Sequence, residues 1–262
     1  MGRERVAPPD QPQLDRAGAS QTAASLPPAL TRGAVVPASG GTGPRCCGLD
    51  EVGRGALAGP LVAAAAMLPE DIGERLGPLR RFLRDSKTVP AARRMELALQ
   101  LSVHALAIEI VVIPVGEINR QGIGWANREA FRQLIDRLDA DDYVVDGRVR
   151  PPAAADRATR VRCLVCADAL VPAVSAASLL AKVHRDTLMR TLHERHPAYG
   201  WVTNVGYGTA EHLAALRRHG STVEHRTQFV ATALGLTPAP ASGSGTRQAS
   251  ESRVRSTSSQ AN

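Results

Sequence analysis

The spacing of apolar positions changes along the chain and predicts a definite order of elements. "RCCGLD" and "PLVAAAAML" predict two strands. The glycine-rich "EVGRGALAG" between them suits a hairpin with an irregular, ligand-facing loop. "AARRMELALQLSV" predicts a helix opened by Pro90. The continuous, β-branched run "HALAIEIVVIPV" predicts a third strand. In "GEINRQGIGWANREAFRQLIDRLD", Phe131, Leu134, Ile135 and Leu138 recur at helical spacing. "DYVVDG" and "VRCLVCAD" predict two short buried strands, each ending in an aspartate. "VPAVSAASLLAKVHRDTLMRTLHERH" predicts a long helix with Pro172 in its first turn, and "TAEHLAALRRHG" another that stops at Gly220. The order ββ-α-β-α-β-β-α-α implies an α/β fold, a mixed five-stranded sheet flanked by helices.

Composition bounds this picture. With 262 residues, 44% of them hydrophobic, the chain can bury one good-sized core. Residues 1–45, rich in Pro, Ala, Gly, Ser and Gln, are expected to be a disordered arm, and residues 237–262 a disordered low-complexity tail. The folded domain is therefore expected over 46–236. No uncharged apolar run reaches the ~18 residues of a membrane span, and the amino terminus has no visible secretory signal, so a cytoplasmic protein is expected. Cys46, Cys47, Cys163 and Cys166 lack zinc-site spacing and are expected to be buried, reduced thiols, the last two on opposite faces of one strand. The formal charge is +7, of which each terminal segment carries +2. That allows a nucleic-acid partner without singling one out. Lys87 and Lys182 are the only lysines, so their positions draw attention.

Four acids share one description. Asp50 and Glu51 end the first strand, Asp146 ends "DYVVD", and Asp168 ends "VRCLVCAD". Taken singly, Asp146 before Gly147 reads as a turn residue, Asp168 as decoration of a helix entry and Asp50-Glu51 as a solvated strand end. Strand ends are also where α/β sheets place ligand chemistry, and carboxylates crowded there would raise one another's pKa values. A divalent cation cancels the repulsion, and oxygen-only ligands suit Mg²⁺ or Mn²⁺. Such a cluster fits two-metal phosphoryl transfer. Adjacent residues of a regular strand point to opposite faces, so the first strand is expected to finish or bulge at Asp50–Glu51.

Two residues past the acid pair, Gly53-Arg54-Gly55 puts an arginine on backbone that can approach a phosphate or sugar. Here the sequence resembles the ribonuclease HII (type 2 ribonuclease H) family over about residues 46–230. "GLDEVGRGALAGPLVAAAAML" is similar to the family's opening motif, and "DSK", "YVVDG", "SAASLLAKVHRD" and "GYGTAEHLAAL" follow as its later blocks in the right order. The resemblance implies a ribonuclease H-like fold and metal-dependent cleavage of RNA joined to or paired with DNA. Cleavage falls 5′ of a ribonucleotide and leaves a 3′-hydroxyl and a 5′-phosphate. It implies that Asp50, Glu51, Asp146 and Asp168 form the metal site. Gly53, Arg54 and Gly55 match the segment that senses the ribose 2′-hydroxyl through backbone groups, and Tyr207 matches the tyrosine set against the sugar. The 2′-hydroxyl is the group that separates RNA from DNA. Lys87, Ser178 and Lys182 fall in family blocks where each could meet phosphate, although Lys182 could equally snorkel and Ser178 simply pack. His184 and His225 have no ligand-spaced partner and are read as surface or satisfied histidines.

Two departures stand out. Cys166-Ala167 and Val205 occupy positions where the family often has Lys-Gly and Lys, which removes two cations but no metal ligand. A DNA-only nuclease on the same scaffold, or a binding protein whose catalysis has decayed, are the alternatives. The expected partners are RNA–DNA hybrids and ribonucleotide-containing duplex DNA. A monomer is expected, with a sliding clamp as a candidate protein partner.

Overall fold

A computed structural model describes residues 45–84 and 89–236. The arm expected over 1–45, except Arg45, the tail expected over 237–262, and the "DSK" block with Lys87 lie outside the described residues.

Five strands form one sheet: β1 Cys46–Val52, β2 Leu61–Met67, β3 Ala107–Ile113, β4 Asp142–Asp146 and β5 Val161–Leu164. Their spatial order is β3-β2-β1-β4-β5. β1, β2 and β3 pair antiparallel, whereas β1–β4 and β4–β5 are parallel, so the sheet is mixed as its sequence pattern predicts. Among the described residues ten α-helices connect the strands or follow them. They are α1 Ile72–Arg75, α2 Ala91–His104, α3 Val115–Gln121, α4 Ile123–Arg137, α5 Ala155–Ala158, α6 Ala167–Leu170, α7 Pro172–Arg195, α8 Trp201–Asn204, α9 Ala210–His219 and α10 Thr227–Ala233. The single helical stretch expected after β3 is two helices, because Gly122 takes φ +84 and breaks the ladder between α3 and α4. Among the described residues no helix is long and apolar enough to cross a membrane.

The two faces of the sheet are covered separately. Leu49, Leu61 and Tyr143 on one face pack with Phe131, Leu134 and Ile135 of α4. On the other face Val62, Ala64 and Ala66 meet α2 and α7. All seven residues of β2 are buried, as its continuous apolar run predicts for a central strand. Small side chains let α7 approach closely. A Cβ on Gly48 would lie 2.2 Å from the backbone of Ala173 and Val174. That contact carries Ser178 and Lys182, further along α7, over the end of β1. A third apolar cluster, with Tyr199, Trp201 and Met189, packs under Leu57 and Ala58 of the β1–β2 loop.

Two expectations need correction here. β1 neither stops nor bulges at its acids. Asp50 pairs with Ala64, Glu51 with Ala63 and Val52 with Val62 in unbroken register. What ends early is the neighbouring ladder, since β1 and β4 pair only as far as Leu49–Val145. The cysteines are also not uniformly buried. Cys47 is, but Cys46 and Cys163 are half-buried and Cys166 is exposed. β5 is an edge strand that ends at Leu164, so Cys166 lies beyond it, in a left-handed conformation (φ 57°) that starts α6.

Candidate active site

The termination of the β1–β4 ladder creates the cleft. Beyond Leu49, β1 runs past its parallel neighbour, so Asp50 and Glu51, on opposite faces of the strand, both border the gap. The cleft measures about 380 Å³ and is lined by Asp50, Glu51, Asp146, Asp168, Ser178 and Lys182, together with Val52, Arg94 and Leu179. Four acids from three separated stretches of sequence thus face one space. Asp146 ends β4 as expected, and Gly147 after it takes φ +106 and turns the chain away. Asp168 differs from expectation. It does not end a strand but sits in the first turn of α6, 4% exposed. Its placement depends on Asp146, whose Oδ1 accepts the Ala167 N–H at 2.8 Å.

The electrostatics follow from burial. Asp50 is pushed up to about 7, chiefly by loss of water. The Ser178 hydroxyl opposes that rise by donating to it, and the neighbouring Glu51 and Asp146 charges add to it. Its Oδ1 also accepts the Glu51 N–H at 2.7 Å. Glu51 rises to about 6, again mainly from burial. The Arg54 guanidinium pulls it down from 3.8 Å away, and Asp146 pushes it up. Carboxylates in this condition gain by holding a cation, and an all-oxygen donor set fits a hard divalent ion. Among the described residues no three His, Cys, Asp or Glu side chains are gathered tightly enough to form a closed shell by themselves. The acids line the cleft as an open arc.

Of the predicted helper residues, Ser178 and Lys182 reach the cleft wall. Lys182 Nζ lies 2.6 Å from Asp186 Oδ1, one helical turn on, so its ammonium is held on the wall instead of ranging freely. Arg94 also lines the cleft, its Nε anchored on the Val89 carbonyl at 3.0 Å. It was missed because one arginine among many in "AARRMELALQ" carries no distinguishing pattern.

Gly53, Arg54, Gly55 and Tyr207 do not line the acid cleft. They form a second feature beside it. Gly53 takes φ +87, and a Cβ there would fall 2.1 Å from Arg185 Nε. Nothing lies within 4 Å of a Cβ built on Gly55. The Arg54 side chain is 55% exposed. The loop leans on the Tyr207 segment, since Leu57 N–H and Ala58 N–H both donate to the Gly206 carbonyl. Tyr207 is half-buried, with the Arg185 guanidinium 5.4 Å from its ring centre.

Behind Tyr207 sits a buried histidine pair. His212 Nδ1–H donates to the Tyr207 carbonyl at 2.9 Å, so His212 Nε2 is the acceptor for Trp201 Nε1–H at 3.1 Å. His225 Nδ1 accepts the Thr222 N–H, which leaves its Nε2–H to donate to His212 Nε2 at 3.2 Å. His225 is therefore a satisfied histidine, as read from the sequence. His184 is half-buried and only partly satisfied. Its Nδ1 is buried and finds no hydrogen-bond partner among the described residues. It lies on the packed face of α7 one turn from Leu188, where desolvation alone pushes it to about 4.

A family model described as Ribonuclease HII matches residues 47–232. The ribonuclease HII of Paracidovorax citrulli (strain AAC00-1) is 44% identical over 191 residues, covering 72% of this chain and 75% of that protein. That of Burkholderia pseudomallei (strain 668) is 42% identical over 187 residues, covering 70% and 82%. Among solved structures, the PCNA:RNase HII complex from Archaeoglobus fulgidus aligns with a TM-score of 0.58 at 26% identity, covering 70% of this chain and 94% of that one. Ribonuclease H2 from Pyrococcus horikoshii OT3 aligns with a TM-score of 0.60 at 24% identity, covering 72% and 96%, which shows the ribonuclease H-like fold. The five blocks, the sheet order and these likenesses agree: the chain belongs to the ribonuclease HII family and is a ribonuclease H-type hydrolase acting on RNA–DNA hybrids.

Proposed function

We propose that the protein cuts duplex DNA on the 5′ side of single embedded ribonucleotides, as well as the RNA strand of hybrids, leaving 3′-hydroxyl and 5′-phosphate ends. The observation that carries this reading is the arc of Asp50, Glu51, Asp146 and Asp168 around one cleft, beside a glycine loop and Tyr207. These four acids would hold Mg²⁺ or Mn²⁺. When bound, the cation supplies neutralising charge and Lewis acidity at the scissile phosphodiester.

The remaining work falls to the chain's own groups. Glu51 N–H and the Ser178 hydroxyl hold the Asp50 carboxylate in one orientation. Lys182, steadied by Asp186, presents an ammonium to substrate phosphate. Lys87 is assigned the same class of role from its sequence block alone. Backbone groups of Gly53–Gly55 meet the 2′-hydroxyl, and the Tyr207 ring lies against the sugar. A site that hydrogen-bonds a hydroxyl rejects the analogue lacking it by roughly 10⁴-fold in favourable cases. The protein is proposed to act in the cytoplasm as a monomer. A sliding-clamp partner is proposed on the strength of the Archaeoglobus fulgidus protein, which is solved as a complex with PCNA.

The test is a duplex with one embedded ribonucleotide, incubated with Mg²⁺ or Mn²⁺ and again with chelator. Cleavage on the 5′ side that chelator abolishes is expected. Equal cutting of an all-DNA duplex would replace this reading with that of a DNA nuclease.

A further inference from the structure

Arg185 and Arg226 are both 0% exposed. Burying a cation is costly unless its donors are met. Here every nitrogen of both guanidiniums donates to main-chain carbonyls. Arg185 bonds Ala58 and Pro60 at 3.0 Å each and Val205 at 2.8 Å. Arg226 bonds Gly59 twice, at 2.9 and 3.0 Å, and Arg54 at 3.0 Å. A planar guanidinium presents its donors in a fixed fork, so it sets the relative positions of the carbonyls it joins.

Those carbonyls belong to the two elements that flank the cleft. Arg226 holds the Arg54 carbonyl, the middle of the Gly53–Gly55 segment, toward the interior. In a planar trans peptide the C=O and the following N–H point in opposite directions. Holding Arg54 O inward therefore turns the Gly55 N–H outward, on the residue whose side is open for 4 Å. Arg185 does the spanning. It touches the loop through Ala58 and Pro60, fills the space a Gly53 side chain would need, grips the Val205 carbonyl and lies under the Tyr207 ring. Val205 is a β-branched residue at φ 43°, a conformation that persists only where its surroundings enforce it, and the Arg185 bond is one such restraint.

We propose that Arg185 and Arg226 are positioning residues for ribose recognition. Arg226 aims the Gly55 N–H at the 2′-hydroxyl, and Arg185 fixes the distance from that donor to the Tyr207 ring. The inference rests on the proposed function for its substrate, and extends it to two residues that never meet the nucleic acid.

Arg185→Lys and Arg226→Lys, in the full chain, keep the charge and lose the fork. Three quantities are measured: kcat and KM on the single-ribonucleotide duplex, the affinity ratio for that duplex over its all-DNA counterpart in chelator, and amide exchange at Leu57, Ala58 and Gly59. A misaimed donor should lower kcat about 100-fold. The affinity ratio should fall about tenfold, the worth of one hydrogen bond. KM should move less than kcat, and the loop amides should exchange at least about tenfold faster than in the parent. If one variant fails to fold, the other decides. Folded variants that keep the parent kcat and affinity ratio, or that lose affinity equally for both duplexes, overturn the inference. Should the parent itself not distinguish the duplexes, the proposed function fails, and the exchange rates still decide whether the arginines hold the loop.

Discussion

Asp146 and Ala167 are joined by a 2.8 Å hydrogen bond from the Ala167 N–H to the carboxylate Oδ1. One acid of the cleft thereby sets the start of the short helix that carries another, Asp168. Asp146→Asn keeps an oxygen acceptor for that N–H but removes a charge. Activity should fall by about 10²- to 10³-fold or more, the scale for loss of a central electrostatic group. Metal-free stability should be unchanged or higher, because a like charge has left the cluster. A thermal melt in chelator beside the cleavage assay checks both. Unaltered turnover would remove Asp146 from the site.

The buried acids give a pH dependence with a definite sign. Asp50 moves from 3.8 to about 7 and Glu51 from 4.5 to about 6, so both hold protons more tightly in the folded chain than in the unfolded one. Between about pH 4 and 7 the unfolded state binds fewer protons, and stability falls as pH rises through that window. In chelator the melting temperature should be lower at pH 8 than at pH 5. Asp50→Asn should flatten that slope, and saturating Mg²⁺ should recover stability at pH 8. A wild-type slope no steeper than that of the variant would contradict the assignment.

The glycines of the loop should respond unequally. Gly53→Ala forces a side chain into φ +87 and onto buried Arg185, and should cost about 2 kcal/mol or more. Gly55→Ala meets nothing within 4 Å and should cost under ~1 kcal/mol. Denaturant melts of the two variants test the contrast, and equal losses would mean that the loop is not braced as described.

Lys182 should act through charge. Lys182→Met should weaken substrate binding and lower the slope of log K against log salt by about 1. Its ion pair with Asp186 is partly solvent-exposed, so stability should change by less than about 1 kcal/mol. An unchanged salt slope would make Lys182 a helix-surface residue only.

How much of this was legible beforehand differs from element to element. The hairpin, the central apolar strand and the long helix were readable because their hydrophobic periods are unbroken, as in Leu61–Met67. Asp146 was readable because a following glycine marks a strand end. Asp168 was misplaced onto a strand since the run from Cys163 to Ala167 in "VRCLVCAD" is unbroken and apolar, while the turn at Cys166 adjoins a contact with Asp146 far away in sequence. The finish or bulge expected at Asp50–Glu51 was unnecessary because the gap opens where β1 and β4 stop pairing, after Leu49 and Val145, a relation between two strands distant in sequence. Arg185 and Arg226 were invisible because an arginine that binds carbonyls looks, in a chain with so many, like one that faces water.

The histidine pair behind Tyr207 makes the support of that residue sensitive to acid. Burial drives His225 to about 4, helped by His212, and burial pushes His212 downward as well. Both rings are therefore harder to protonate than an ordinary imidazole, chiefly because the pair is shut away from water. The hydrogen bonds that join them need neutral tautomers, so acid that charges either ring would loosen the support beneath the Tyr207 carbonyl.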